Sequence, residues 1–159
     1  MKTFCFCILL MTSAFSFSQT SEIDSVKATI DQFFEGFHKQ DSTIILKTVH
    51  MDIKMQSIGM NIEGTSVLST SKFEGFLKSI ISIPKENTFK EEILDYNIQV
   101  DGHMANVWTP YKFWFDGNFS HCGVNSFQLF KDNGQWKIIY LIDTLRKNCD
   151  FDKLSRRKY

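Results

Sequence analysis

Three tight turn signals cut the back half of the chain, Thr88 to Arg146, into four long strands. Asp101-Gly102, Asp116-Gly117-Asn118 and Asn133-Gly134 are rich in residues that accept a positive φ, which hairpin turns between twisted strands require. A four-stranded meander preceded by helical segments leaves few ways to bury one face of each element. All of them are α+β architectures in which helices lie against a curved sheet. The chain is therefore expected to hold a space between helix and sheet.

The front half carries the helices. Ile23, Val26, Ile30, Phe33, Phe34 and Phe37 recur at three- and four-residue steps. They form one apolar stripe on a helix from about Ser21 to Lys39. Lys27–Asp31 and Glu35–Lys39 are four-residue charge pairs on its wet side. Asp41 suits the N-cap of a second helix over Ser42 to Val49. Residues 53–60 and 65–69 are able to pair across the Asn61–Gly64 turn. Ser71-Lys72-Phe73-Glu74 reads as a capping box ahead of a third helix that Pro84 stops. Its apolar face holds Phe73, Phe76, Leu77, Ile80 and Ile81.

One register of the meander gives an apolar face throughout. With two-residue turns at Asp101-Gly102 and Asn133-Gly134 and a three-residue loop at 116–118, Leu94, Tyr96 and Ile98 face the same way as Ala105, Val107 and Thr109. Tyr111 and Phe113 continue that face. His121, Asn125, Phe127 and Leu129 join it from the third strand, and Ile138, Tyr140 and Ile142 from the fourth. A two-residue middle turn would put Ser126 and Gln128 there instead, burying more polar groups without partners. In the preferred register this face carries no Asp or Glu. The opposite face holds Trp108, Trp114, Phe130 and Leu141 among polar residues. So many large apolar groups point to a sheet-against-sheet homodimer, with cover by the tail or the early strands as the alternative.

Residues 1–18 read as an export signal: Lys2, an apolar run from Phe4 to Phe17, then Ser16-Phe17-Ser18 as a small-x-small cleavage site. The division expected is 1–18 signal, 19–146 one domain and 147–159 a basic tail. The product is then secreted or periplasmic, with no membrane attachment after cleavage. Eighteen basic residues stand against eighteen acidic ones, so charge offers no argument for nucleic acid. After export, Cys122 and Cys149 are able to form a disulfide, contributing roughly 3–4 kcal/mol in the chain-entropy model. Two free thiols are the alternative.

Several segments resemble the NTF2-like superfamily, in its SnoaL-like and lumazine-binding-like branch, as a secreted bacterial member. They are the run Phe33-Phe34-Glu35-Gly36-Phe37-His38-Lys39-Gln40-Asp41, the segment Val49-His50-Met51-Asp52-Ile53 and Ala105-Asn106-Val107-Trp108. Phe127-Gln128-Leu129-Phe130 and Gly134-Gln135-Trp136-Lys137-Ile138-Ile139 complete the set. The resemblance spans Ser21 to Arg146. It implies an α+β cone, N-terminal helices on a strongly bent, mainly antiparallel sheet, with an open-mouthed pocket and frequent homodimers. Members include ketosteroid-isomerase-like and dehydratase-like enzymes, cyclases and binding proteins, and the fold does not choose among them.

On the residues themselves, Thr109, Tyr111, Asn125 and Tyr140 beneath Phe34, Phe37 and His38 compose a small-molecule site: an apolar space with a few convergent polar groups. The expectation is binding of a small, mostly apolar or aromatic ligand without transformation. One alternative is an isomerase, cyclase or dehydratase with His121 as acid/base, since imidazole titrates near neutral pH. Another is a protein-interaction module using the outer sheet face. No cofactor or metal is expected. His38, His50, His103 and His121 are scattered without ligand spacing, and no Gly-rich phosphate loop or nucleophile elbow occurs.

Overall fold

The computed structural model describes residues 13–149, with side chains from residue 21 onward. The expected export signal falls largely outside this range, as does most of the tail. Three helices lie against one seven-stranded sheet. The first helix, α1, runs over Ser13–Lys39 and α2 over Ser42–Thr48. Strands β1, Val49–Met60, and β2, Ser66–Ser71, form a hairpin, followed by α3, Phe73–Ile81. Then come β3, Phe89–Ile93; β4, Asn97–Asp101; β5, Met104–Phe115; β6, Asn118–Asp132; and β7, Gln135–Arg146. The sheet order is β2-β1-β7-β6-β5-β3, with β4 also paired to β5. Only β1–β7 is parallel. Among the described residues no helix is long and apolar enough to cross a membrane.

Helix α1 buries the predicted stripe. Val26, Ile30 and Phe33 are sealed against Val107, Phe127, Leu129 and Ile138 of the sheet. Burying one such side chain stabilises by about 1.5–3 kcal/mol. The helix stops at Gln40, whose φ of 54° is left-handed, and Asp41 N–H returns to the Gly36 carbonyl. Asp41 Oδ1 then accepts from Thr43 and Ile44 N–H, capping α2 as expected. Gly36 permits the close crossing: a Cβ there would stand 2.8 Å from Ile45. Gln40 Nε2 also donates to the Ile80 and Ile83 carbonyls, tying the end of α1 to the end of α3.

The capping box does not form. Ser71 still belongs to β2, so the N-cap of α3 falls on Lys72, which makes no side-chain capping bond.

The meander keeps its predicted face near the middle but departs at three places. The first hairpin turns on Gly102-His103, with Asp101 paired to Met104, one residue later than Asp101-Gly102. The middle turn is two residues, Asp116 and Gly117, both at positive φ. A bulge between Phe113 and Trp114 then restores the register, so that Phe113 meets His121 and Thr109 meets Asn125. The predicted inner register is thus reached by a bulge rather than by a three-residue loop. The last turn is Asn133-Gly134 as expected.

Two further irregularities change what faces inward. The first predicted strand is broken into β3 and β4. Phe89, Glu91 and Ile93 oppose Phe115, Phe113 and Tyr111, whereas Ile98 and Val100 oppose Val107 and Ala105. Inward parity switches from odd to even across residues 94–96. Pro110 sits opposite the break, and its carbonyl accepts from Leu94 N–H. In an antiparallel ladder one residue's N–H and C=O point to the same side. The donor that proline lacks is therefore missing on the side where the partner strand is interrupted.

A second bulge lies between Gln128 and Leu129: Leu129 pairs with Ile138 but Gln128 with Tyr140, leaving Ile139 extra. Beyond it, Leu141 and Asp143 face inward opposite Phe127 and Asn125, and Tyr140 and Ile142 turn outward. Leu141, expected on the outer face, is buried in the core. Tyr140, expected in the pocket, pairs with Gln128 and bonds Gln56 Oε1 through its hydroxyl.

Candidate functional site

Between α1, α3 and the sheet lies an open cleft of about 560 Å³. Phe33, Phe34 and Phe37 of α1 form one wall, and Phe76 of α3, Met55 and Leu141 the other. The helical spacing that buries α1 also sets three rings side by side on it. Glu91, Asn125, Asp143 and Ser57 are the polar groups at its floor, Gln56 also lines it, and the exposed Ser71, Lys72 and Ser79 line its mouth.

The floor is built by strand register. Thr109, Asn125, Asp143 and Ser57 are successive partners across β5, β6, β7 and β1, one transverse row of the sheet. Asn125 is almost wholly buried, and Thr109 behind it is fully so. The amide Nδ2 of Asn125 donates to Glu91 Oε1 at 2.6 Å and to Thr109 Oγ1 at 3.3 Å. Glu91 arrives from β3, held from behind by its own N–H, which donates to His38 Nε2 at 2.9 Å. His38 stacks on Phe34 with ring centroids 6.1 Å apart. Burial, with Lys90 beside it, holds the His38 imidazole below its ordinary pKa. An Nε2 that accepts a hydrogen bond is the unprotonated nitrogen of a neutral ring.

Burial pushes the Glu91 carboxyl up to about 8, against the opposing hydrogen bond from Asn125 and with the charge of Asp143 adding to the rise. The carboxyl of Asp143 is also raised by burial, and hydrogen bonds from the Ser57 and Tyr111 hydroxyls work against that. Asp143 therefore ionises more readily than Glu91. Tyr111 lies beneath the floor. Its hydroxyl is 3.0 Å from the Thr144 carbonyl and 3.4 Å from Asp143 Oδ2. Burial, then the two acids, push the phenol well above its usual range. The Tyr111 ring crosses its partner Gly123, where a Cβ would meet the ring at 2.7 Å and the Thr144 carbonyl at 1.7 Å.

The predicted site residues thus separate. Phe34, Phe37 and Asn125 line the cleft, while Thr109 and Tyr111 support it from below and His38 supports Glu91. Tyr140 is on the other face. His121 does not line the cleft: it stacks on Phe113 at 4.8 Å, and its Nδ1 is 3.0 Å from Ser120 Oγ. Burial lowers its pKa. Asp52, beside His50 on β1, is exposed. The expectation of a pocket face without acids is overturned by Glu91 and Asp143. Pro110 in mid-strand was the available signal for the first. For the second, Ile138-Ile139-Tyr140-Leu141-Ile142 does not alternate and hides the bulge.

Cys122 and Cys149 are disulfide-bonded, tying the strand β6 to the chain beyond β7. On the outer face Trp108, Phe130 and Met104 are exposed, while the Trp114 indole donates to Glu92 Oε2 at 3.1 Å. Among the described residues no group of three or more His, Cys, Asp or Glu is placed to hold a metal ion.

No protein-family model matches the chain, and no curated protein does. Solved structures do. An NTF2-like protein of unknown function from Shewanella baltica is 18% identical with a TM-score of 0.59, over 81% of this chain and 97% of that one. A protein provisionally assigned as a ketosteroid isomerase from Shewanella frigidimarina is 14% identical with a TM-score of 0.56, over 75% and 94%. A provisionally assigned dehydratase of the NTF2-like family from Streptomyces avermitilis is 11% identical with a TM-score of 0.56, over 80% and 97%. The chain has the NTF2-like fold. At these identities the likeness carries the architecture and nothing of the chemistry.

Proposed function

We propose that the protein binds a small, largely apolar molecule in the cleft, with the polar end of the ligand seated on Glu91, Asn125 and Asp143. One observation carries this reading: a nearly buried Asn125, bonded to Glu91, stands at the end of a cleft walled by four phenylalanines. Asn125→Leu tests it. The change removes the amide and leaves Glu91 and Thr109 without their partner, so thermal stability falls. A ligand bonded there loses about 1–3 kcal/mol of affinity. Unchanged affinity in a folded mutant, for any ligand that the wild type binds, removes Asn125 from the site.

A second reading is proton transfer, and it is favoured by the two acids. Their surroundings separate them: Asp143 receives hydroxyl hydrogen bonds that favour the carboxylate, and Glu91 is held protonated near neutral pH. A pair arranged in this way supplies a base and an acid in one site. The enzyme alternative thereby moves from His121, outside the cleft, to Glu91 and Asp143. The structural neighbours assigned as an isomerase and a dehydratase lend this reading an analogy only. Loss of turnover in Asp143→Asn, with binding retained, is its test once a substrate is in hand.

Export remains part of the proposal. Its support is the pattern of residues 1–18 and a disulfide suited to an oxidising compartment. N-terminal sequencing of the protein from its host should begin near Gln19, and an intact Met1 would contradict it.

A further inference from the structure

The polar end of the cleft is short of positive charge. Ion pairs among the described residues join Lys27 to Asp31, Lys39 to Glu35, His50 to Asp52 and Lys131 to Glu22. None of them reaches Glu91 or Asp143. Lys72 is the one cation lining the cleft, and it stands at the mouth, on the N-cap of α3. Both amide hydrogens of Asn125 are committed, one to Glu91 and one to Thr109, so the carbonyl Oδ1 is what that residue has left to offer a ligand. The floor therefore presents the Asp143 and Glu91 carboxyls and an amide oxygen, with no cation among them, at the end of an aromatic-walled space.

An anionic ligand would meet the two acids there. A protonated amine brings three N–H donors and the missing countercharge, and phenylalanine faces attract a desolvated cation further. Resting on the binding reading given above, we propose that the cleft selects a molecule with a flat apolar body and a protonated nitrogen, the ammonium seated between Glu91, Asn125 and Asp143. Tyr111 below, on which the Arg146 charge acts, His38 behind Glu91 with Lys90 beside it, and Lys72 at the mouth are the other titratable groups around that seat. Tyr111 is an un-ionised phenol, His38 is neutral, Arg146 and Lys90 do not line the cleft, and Lys72 is exposed at its mouth.

Three probes with one ring system and different charge decide the matter by calorimetric titration of the full chain: tryptamine, tryptophol and indole-3-acetate. Tryptamine should bind at least about tenfold more tightly than tryptophol, with indole-3-acetate the weakest. In Asp143→Asn the preference for tryptamine over tryptophol should shrink from about tenfold to about twofold or less. Tryptophol or indole-3-acetate binding as well as tryptamine overturns the charge selection while leaving a binding cleft in place. An amine preference that survives Asp143→Asn puts the nitrogen elsewhere and also overturns it. Failure of all three probes at millimolar concentration counts against the binding reading itself.

Discussion

Asn125 and Glu91 are joined by a 2.6 Å hydrogen bond across strands that share no direct pairing. Asn125 lies on β6 and Glu91 on the edge strand β3, with β5 between them. The bond exists because the strand break opposite Pro110 turns Glu91 inward. An acid is thereby held in a largely apolar site, with consequences for stability.

The Glu91 carboxyl titrates near 8 in the folded chain against 4.5 ordinarily. Below 4.5 both the folded and unfolded forms carry the proton, and Glu91 has no pH-dependent effect. As pH rises from 4.5 to about 8, the unfolded state loses its proton first, so stability falls through this window. His38 and His121, both depressed by burial, act in the opposite direction below their ordinary value of 6.5. The clean measurement is the difference between wild type and Glu91→Gln in thermal melts across this range. Wild type should lose stability relative to the mutant as pH rises, and parallel curves would show that Glu91 titrates normally.

Gly123→Ala should be among the most damaging small substitutions in the chain. The added methyl would stand 1.7 Å from a backbone carbonyl, which no side-chain rotation relieves, and would press on the Tyr111 ring. A loss of about 3 kcal/mol or more is expected, at the upper end of overpacking effects, and chemical denaturation measures it. A midpoint within error of wild type would mean that the Tyr111–Gly123 crossing is not as described.

Cys149→Ser, or reduction of the wild type, should destabilise by about 3 kcal/mol, because a crosslink with a sequence separation of 27 is removed. Melts with and without reductant report it. Equal melting temperatures would identify two thiols that do not pair in solution.

Trp108, Phe130 and Met104 leave an apolar outer face beside the core. We expect a second copy to cover it. Trp108→Glu would then place a charge in that contact and shift sedimentation to the monomer. A wild type that is monomeric at high micromolar concentration contradicts the expectation. Leu141 no longer belongs to this surface, so its substitution should affect the cleft and the core instead.

The sequence by itself determined the elements and most of their faces. Helix α1 was legible because Val26, Ile30, Phe33, Phe34 and Phe37 repeat at helical spacing, and the Asp41 cap because its side chain acts on N–H groups two and three residues away. Asn133-Gly134 was legible because its left-handed φ values are local. The facing of Thr109 and Asn125 followed from the demand for an apolar inner face.

Only the tertiary structure decided what stands at the floor of the cleft. The period of a strand is two, so one extra residue at Ile139 exchanges Tyr140 for Leu141 and Ile142 for Asp143. One break at residues 94–96 brings Glu91 inward. The extra residue leaves no mark in residues 138–142, which are apolar on both faces, and the break is marked only by Pro110 on the partner strand. The capping box failed for a related reason: pairing with β1 holds Ser71 in a strand, and the ladder outweighs a local cap. Turns, caps and helical stripes are interactions between near neighbours and can be read along the chain. A bulge is set by how several strands twist together over the helix, and the acids that it delivers become neighbours only when the sheet closes.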